Sequence, residues 1–242
     1  MNKFLVLLKG DQSRMRRYGI TYASLAASIL WIIVIQLTNA AEIDRFFPLM
    51  LFVDATMMSF LLVGVAMMFE KQESALKSML VTPISKHHYL MSKIVTGIIS
   101  SIITLLLLGS YGVAFKSLSI NYFGIIGAVA LASFVYTCMG ILFTYKSKDF
   151  TVLIMWLMLF FLLLAVPTIL QMFQIITADW FKYVQYINPT QSVLTVMNAT
   201  VMAVDKADLV ISLGYLVLIA AILYYFAARN FDKYSMKELG GE

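Results

Sequence analysis

Few side chains of this sequence have the types and spacing that catalysis or metal binding requires. The only two histidines, His87 and His88, are neighbours, and no H-E-x-x-H motif is present. The sequence also contains no G-x-S-x-G turn for a nucleophilic serine and no G-x-x-x-x-G-K-S/T loop for nucleotide phosphates. We therefore expect no catalytic residue, no metal site and no cofactor bound by this chain, and we interpret the histidines as facing solvent or a partner protein.

Asp54 is the one acidic residue that lies well inside an apolar run. A charge at the centre of a bilayer costs about 2.5–3.5 kcal/mol on insertion scales, and less near the interface. The carboxylate therefore needs a partner, a water-filled path or a bound cation. Together with Met57 and Met58, Asp54 is a candidate for lining a substrate path. The alternatives are a carboxylate that reaches the outer interface and an uncharged, protonated acid.

The composition indicates that these residues belong to an integral membrane protein. The chain is 61% hydrophobic and 13% charged, with a mean hydropathy of +0.87, whereas soluble domains are about a quarter charged. We expect one membrane domain over residues 1–242. The net charge of +5 comes from basic residues beside apolar runs, which anchor topology and meet anionic lipid, so we expect no nucleic-acid partner.

The apolar runs predict an all-α fold with six transmembrane helices, at 20–37, 46–69, 94–115, 122–145, 150–170 and 209–228. If the N-terminus is inside, Arg45, Lys116, Lys182 and Lys206 lie outside, and the other fourteen of the eighteen Lys and Arg residues lie in cytoplasmic segments. The positive-inside rule then predicts that both termini are cytoplasmic. A chance asymmetry in a protein with five or seven spans is the alternative.

Two further segments carry helical patterns outside the spans. Residues 1–19 combine apolar and basic side chains, which favours a helix lying on the inner leaflet, or else an ordinary basic flank. In the long external connection 171–208, Val193, Leu194, Met197 and Val201 have helical spacing. This pattern predicts either a short re-entrant helix before the sixth span or an amphipathic segment on the surface.

The cytoplasmic segment 70–93 reads EKQESALKSMLVTPISKHHYLMSK. Its first part, 70–81, predicts a charged helix that extends the second span, carries Glu70 and pairs Glu73 with Lys77 at i and i+4. A Thr-Pro pair then predicts the start of a short helix over 84–89. Set crosswise between two spans, this coupling helix would dock on another protein; an ordinary loop is the alternative. The candidate docking residues are Thr82, Pro83, Ile84, Ser85, Lys86, His87, His88 and Tyr89.

These features together resemble the permease subunit of ABC-2 type exporters. The resemblance covers nearly the whole chain and includes LVTPIS and YLMSK between the second and third spans and YINPTQSV before the sixth. The run FVDATMMSFLLVGVAMMFEKQESALKSMLVTPIS most resembles the subgroup named for fluoroquinolone export. Where that family usually has Gly-Thr and then Glu in the charged helix, this chain has Ser74, Ala75 and Lys77, so a salt bridge from that Glu is not carried over.

The resemblance implies a multi-subunit exporter in the plasma membrane of a prokaryote. Two six-span permeases, identical or similar, would form the membrane path, and two copies of a separate ATPase would dock below them. ATP and Mg²⁺ would be bound by the ATPase, which would push the coupling helix. The expected cargo is a hydrophobic or amphipathic molecule, such as a drug or an antimicrobial compound. The alternative is a membrane protein without a transport role, such as a sensor or a toxin-immunity protein.

Overall fold

The computed structural model describes residues 3–39, 42–73, 85–176 and 178–239, and this part of the chain contains helices and no strand. Two helices contain a π-helical stretch, at Asp54–Met58 and at Phe161–Ala165. In chain order the helices are α1 (Lys3–Arg17), α2 (Ile20–Leu37), α3 (Ile43–Gln72), α4 (Lys86–Lys116), α5 (Tyr122–Lys146), α6 (Phe150–Met172), α7 (Asp179–Gln185), α8 (Pro189–Asn198) and α9 (Lys206–Leu239).

Six of these helices are long and apolar enough to cross a membrane: α2, α3, α4, α5, α6 and α9. The predicted all-α fold with six spans is therefore confirmed, and the protein is a multi-pass membrane protein. The helix α2 has the predicted limits, whereas α3, α4 and α9 extend beyond the predicted spans. The extra turns are charged and polar, which is why hydropathy alone does not find them.

The predicted coupling helix is wrong in one respect. Residues 86–89 are not part of a separate crosswise helix, because they form the first turn of the continuous α4. Ser85 is the N-cap, and its hydroxyl accepts a hydrogen bond from the His88 N–H. Thr82, Pro83 and Ile84 lie outside the described residues, as does the predicted charged extension from residue 74 onwards.

Successive spanning helices alternate in direction, so their ends lie on two sides. The side that holds α1 and the C-terminal ends of α3, α5 and α9 is called the N-terminal side here, and the other is called the opposite side. On the opposite side, the Lys116 ammonium donates to the carbonyls of Gln36 (2.9 Å) and Thr38 (2.8 Å). Both ends of the described chain thus lie on one side, and its assignment to the cytoplasm rests on the charge distribution.

The helix α5 is the centre of the bundle and packs against α3, α4 and α9. Its residues Val129, Ala132, Val135 and Tyr136 are fully buried in the largest apolar cluster. At Gly140 the backbones of α5 and α3 touch, because a Cβ there would lie 2.7 Å from the Phe60 carbonyl oxygen. Small residues allow this close approach of helices in membranes, where packing rather than water drives association.

The helix α8 is buried inside the bundle and is not an amphipathic segment on its surface. Val193, Leu194 and Met197 are buried in the largest apolar cluster. The helix starts at Asn188, whose amide donates to the Leu164 carbonyl of α6 at 2.9 Å. Just after α8 the chain is back on the opposite side, where the Thr200 carbonyl accepts from the N–H of Asn121, the residue that caps α5 (3.0 Å).

We predict that Gly140→Ala destabilises the bundle because the added methyl group overlaps the Phe60 backbone and the Val63 side chain. Overpacking of this kind costs about 1–3 kcal/mol. The matched control is Gly127→Ala in the same helix, where a Cβ has no neighbour within 4 Å. Thermal unfolding in detergent should show a lower midpoint for Gly140→Ala alone, and equal midpoints would contradict the close contact.

Candidate functional site

A cluster of four charged side chains, three buried and one half-buried, lies on the N-terminal side. Asp11 and Arg14 come from α1, Glu70 from the end of α3, and Lys93 from the third turn of α4. Asp11, Glu70 and Lys93 are each at most 4% exposed. The set holds two cations and two anions, so its net charge is zero. We call these four residues the charge cluster.

Lys93 and Arg14 each contact both carboxylates of the charge cluster. The Lys93 ammonium donates to Asp11 at 2.8 Å and also to Glu70. The Arg14 guanidinium donates through Nε to Glu70 at 3.0 Å and through Nη2 to Asp11. Hydroxyl groups complete the shell, since Ser92 donates to Asp11 and Tyr89 donates to Glu70 at 3.0 Å. Every charge therefore has an opposite charge in contact, which burial requires.

The pKa values of Asp11 and Arg14, both in α1, reflect the contacts within the charge cluster. Burial acts to raise the pKa of Asp11, but the nearby Lys93 ammonium and the hydrogen bonds from Lys93 and Ser92 outweigh it, so the pKa lies below its usual value. Burial acts to lower the pKa of Arg14, and the carboxylates of Glu70 and Asp11 more than offset that effect. Both groups are thus held in their charged forms.

Glu70 and Glu73, the two acids of the predicted charged extension, have different environments. Glu70 is 1% exposed and is packed in the interior of the bundle. Glu73 lies just past the end of α3 and accepts hydrogen bonds from Arg17 (3.1 Å) and Tyr18 (2.7 Å), whereas its predicted partner Lys77 lies outside the described residues. Both acids therefore tie α3 to α1 or to the residue directly after α1.

Sequence reasoning missed Asp11, Arg14 and Lys93 as members of one site. A signal was present, because Leu7, Asp11 and Met15 succeed each other at i+4 and form the buried face of α1. An acid in the middle of an apolar helix stripe requires a buried partner. The partner itself, 82 residues further along the chain, could not be read from the sequence.

The first turn of α4 contacts α9 through the predicted docking residues. The Lys86 ammonium pairs with Asp232 at 2.6 Å, and His87 Nδ1 shares a hydrogen bond of 2.8 Å with the Tyr224 hydroxyl. His88 Nδ1 lies 2.5 Å from the Ser85 hydroxyl oxygen. The ring of Tyr89 is buried against Phe231. Of this turn, His87 is the exposed residue.

Asp54 lies inside the bundle and does not reach either surface. It is 2% exposed, and its Oδ1 atom accepts no hydrogen bond from a described residue. The Thr104 hydroxyl of α4 is the polar group beside it. Met57 and Met58 are half-buried in the same π-helical stretch. The alternative in which Asp54 reaches the outer interface is therefore wrong.

A cavity of about 430 Å³ lies on the opposite side, between the start of α3, the end of α6 and α8. Buried amide oxygens of Gln171, Gln191 and Asn198 accept no hydrogen bond from the described residues. The Arg45 guanidinium donates to the Met172 carbonyl at 2.7 Å and lies 5.0 Å from the centroid of the Phe173 ring. We call this the opposite-side cavity; it combines hydrogen-bonding groups with methionine and leucine side chains.

The fold and these sites define a polytopic all-α membrane protein with a buried charge cluster at one end and a polar cavity at the other. Residues 2–238 match the sequence model of the fluoroquinolones export permease protein family, so the chain belongs to that family. No curated protein matches the chain. Family membership points to a membrane subunit for drug export and not to an enzyme.

We predict that Lys93→Met destabilises the protein by about 3–5 kcal/mol, because Arg14 is then the one cation of the charge cluster that contacts its two buried carboxylates. The double variant Lys93→Met with Glu70→Gln should lose less stability than the sum of the losses in the two single variants, since the net charge of the cluster is zero again. The control is Lys148→Met, an exposed lysine on the same side. Thermal unfolding midpoints in detergent test this, and strictly additive losses would refute the coupling.

We also predict a specific loss of stability in acid. Because the pKa of Asp11 is lower in the native protein than in the unfolded chain, where it is about 3.9, the unfolded chain takes up the proton first as the pH falls. The contribution of Asp11 is therefore complete above about pH 4 and is lost below it. Between about pH 5 and about pH 3, the unfolding midpoint should therefore decrease less in Asp11→Asn than in the unchanged protein. The exposed Asp44→Asn should leave it unchanged.

Proposed function

We propose that this chain is the permease subunit of an ATP-driven ABC-2 type exporter in the plasma membrane of a prokaryote. The observation that carries the proposal is the family match over residues 2–238, together with a sequence that has no phosphate-binding loop. In this proposal the energy for export comes from ATP hydrolysis by another chain. The complex would contain two copies of an ATPase and a second permease, either another copy or a paralogue.

The ATPase would dock on the N-terminal side, at the segment from Thr82 to Tyr89. The charge cluster supports this location, because Glu70 and Lys93 lie on either side of that segment and are bound to each other and to α1. A force on the segment would reach α3, α4 and α1 together. The excess of Lys and Arg on this side supports a cytoplasmic position, where ATP is present.

The cargo would be a hydrophobic or amphipathic drug-like molecule. A path past Asp54, Met57 and Met58 requires α3 and α4 to separate, since the Asp54 carboxyl is buried beside Thr104. The opposite-side cavity would contact the cargo on the far side. Its guanidinium and amide groups suit the polar part of such a molecule, and Met172, Leu194 and Met202 suit the apolar part.

Reconstitution tests this function directly. We expect the chain, purified from its native host in mild detergent, to bring with it an ATPase with a phosphate-binding loop. In vesicles that contain both proteins, uptake of a fluoroquinolone should require ATP and should stop when the loop lysine of the ATPase is changed to Met. Uptake that continues without ATP, or without the ATPase, would refute the proposal.

We predict that a cysteine at position 87 crosslinks to the ATPase, because His87 is exposed on the N-terminal side. Phe123→Cys is the matched control, since residue 123 is 92% exposed at the opposite end of the bundle. The double change His87→Ala and His88→Ala should reduce export while membrane insertion stays normal. Crosslinking from position 123 but not from 87 would contradict docking on the N-terminal side.

A further inference from the structure

Two cavities meet on the N-terminal side between α5, α6 and α9. The first, of about 290 Å³, is called the basic cavity and is lined by Leu142, Tyr145, Lys146, Asn230, Lys233, Tyr234 and Lys237. The second, of about 340 Å³, is called the apolar groove and is lined mainly by Met139, Phe143, Phe160, Leu164 and Leu223. Leu142 and Lys146 line both cavities, so the two are adjacent.

The two cavities differ in their depth within the bundle. Lys146 is the last residue of α5, whereas Met139 lies two turns further into the same helix. In α9, Lys237 is close to the C-terminal end and Leu223 lies near the middle of the helix. The lysines thus lie toward the N-terminal side, at or near the ends of α5 and α9, and the groove lies closer to the middle of the bundle.

The basic cavity carries positive charge that the described part of the chain does not neutralise. Lys146, Lys233 and Lys237 contribute three ammonium groups, and no Asp or Glu is among the residues that line either cavity. Two nearby acids are engaged elsewhere. Asp232 pairs with Lys86 at 2.6 Å, and Asp149 accepts from the Val152 N–H at the start of α6.

We infer that the basic cavity and the apolar groove together bind one anionic phospholipid. Its phosphate would lie among Lys146, Lys233 and Lys237, and an acyl chain would lie along the groove past Phe160 and Leu223. Charge complementarity favours this occupant, because basic pockets between spans on the cytoplasmic side suit anionic head groups. The adjacent apolar groove distinguishes this site from lysines that only reach toward the head-group region and have no neighbouring groove for an acyl chain. The inference does not depend on the exporter function.

Binding of defined lipids to the delipidated chain in a neutral detergent tests this site. We expect phosphatidylglycerol to raise the unfolding midpoint and to stay bound in native mass spectrometry. Phosphatidylcholine with the same acyl chains should bind more weakly by a factor of at least about ten. Inorganic phosphate alone and diacylglycerol alone should have little effect. Equal binding of the two phospholipids, or equal stabilisation by phosphate alone, would overturn the proposal.

Two variants separate the head-group contact from the chain contact. Changing Lys146, Lys233 and Lys237 to Gln should remove the preference for phosphatidylglycerol, whereas Lys148→Gln, outside both cavities, should keep it. Leu223→Trp should fill the groove and weaken binding of long-chain lipid more than of a short-chain phosphatidylglycerol. If the triple variant keeps the lipid preference but loses self-association, this face joins two copies of the chain and the lipid assignment is wrong.

Discussion

Charge neutralisation within the packed bundle determines the structure of the N-terminal side of this protein. An isolated ion costs several kcal/mol to bury, and Asp11, Arg14, Glu70 and Lys93 meet that constraint by contacting one another and two hydroxyl groups. These contacts hold the three helices that carry them together in this structure. The helix α1 becomes part of the bundle through this cluster, although its outer face is exposed.

Neutral hydrogen bonds organise the other end of the bundle in a different way. Thr168 and Thr190 share a hydrogen bond of 2.8 Å, and Asn188 and Thr190 both donate to the Leu164 carbonyl of α6. These contacts hold the start of the short helix α8 between longer helices without any buried charge. The charge cluster thus joins α1, α3 and α4, and the neutral hydrogen bonds position α8, which lines the opposite-side cavity.

Hydropathy and charge predict much of this architecture, because spanning helices must satisfy their backbone hydrogen bonds locally. The six spans, the N-terminal helix and the helical spacing of Val193, Leu194 and Met197 can all be read from residue patterns within one segment. The separate helix at 84–89 was predicted wrongly, because Ser85 caps a continuous α4 and a Thr-Pro pair does not determine how long the next helix is. The charge cluster could not be predicted either, because its members come from three segments far apart in sequence.

The backbone contact at Gly140 constrains how the bundle can move. Side chains between most helices can change rotamer and absorb a small displacement, but the Phe60 carbonyl and the Gly140 backbone leave no side chain between them. A small sliding of α3 against α5 therefore cannot be absorbed by a side-chain rotamer at this point. Since α5 also packs against α9, a displacement of α3 would be felt at that second interface as well.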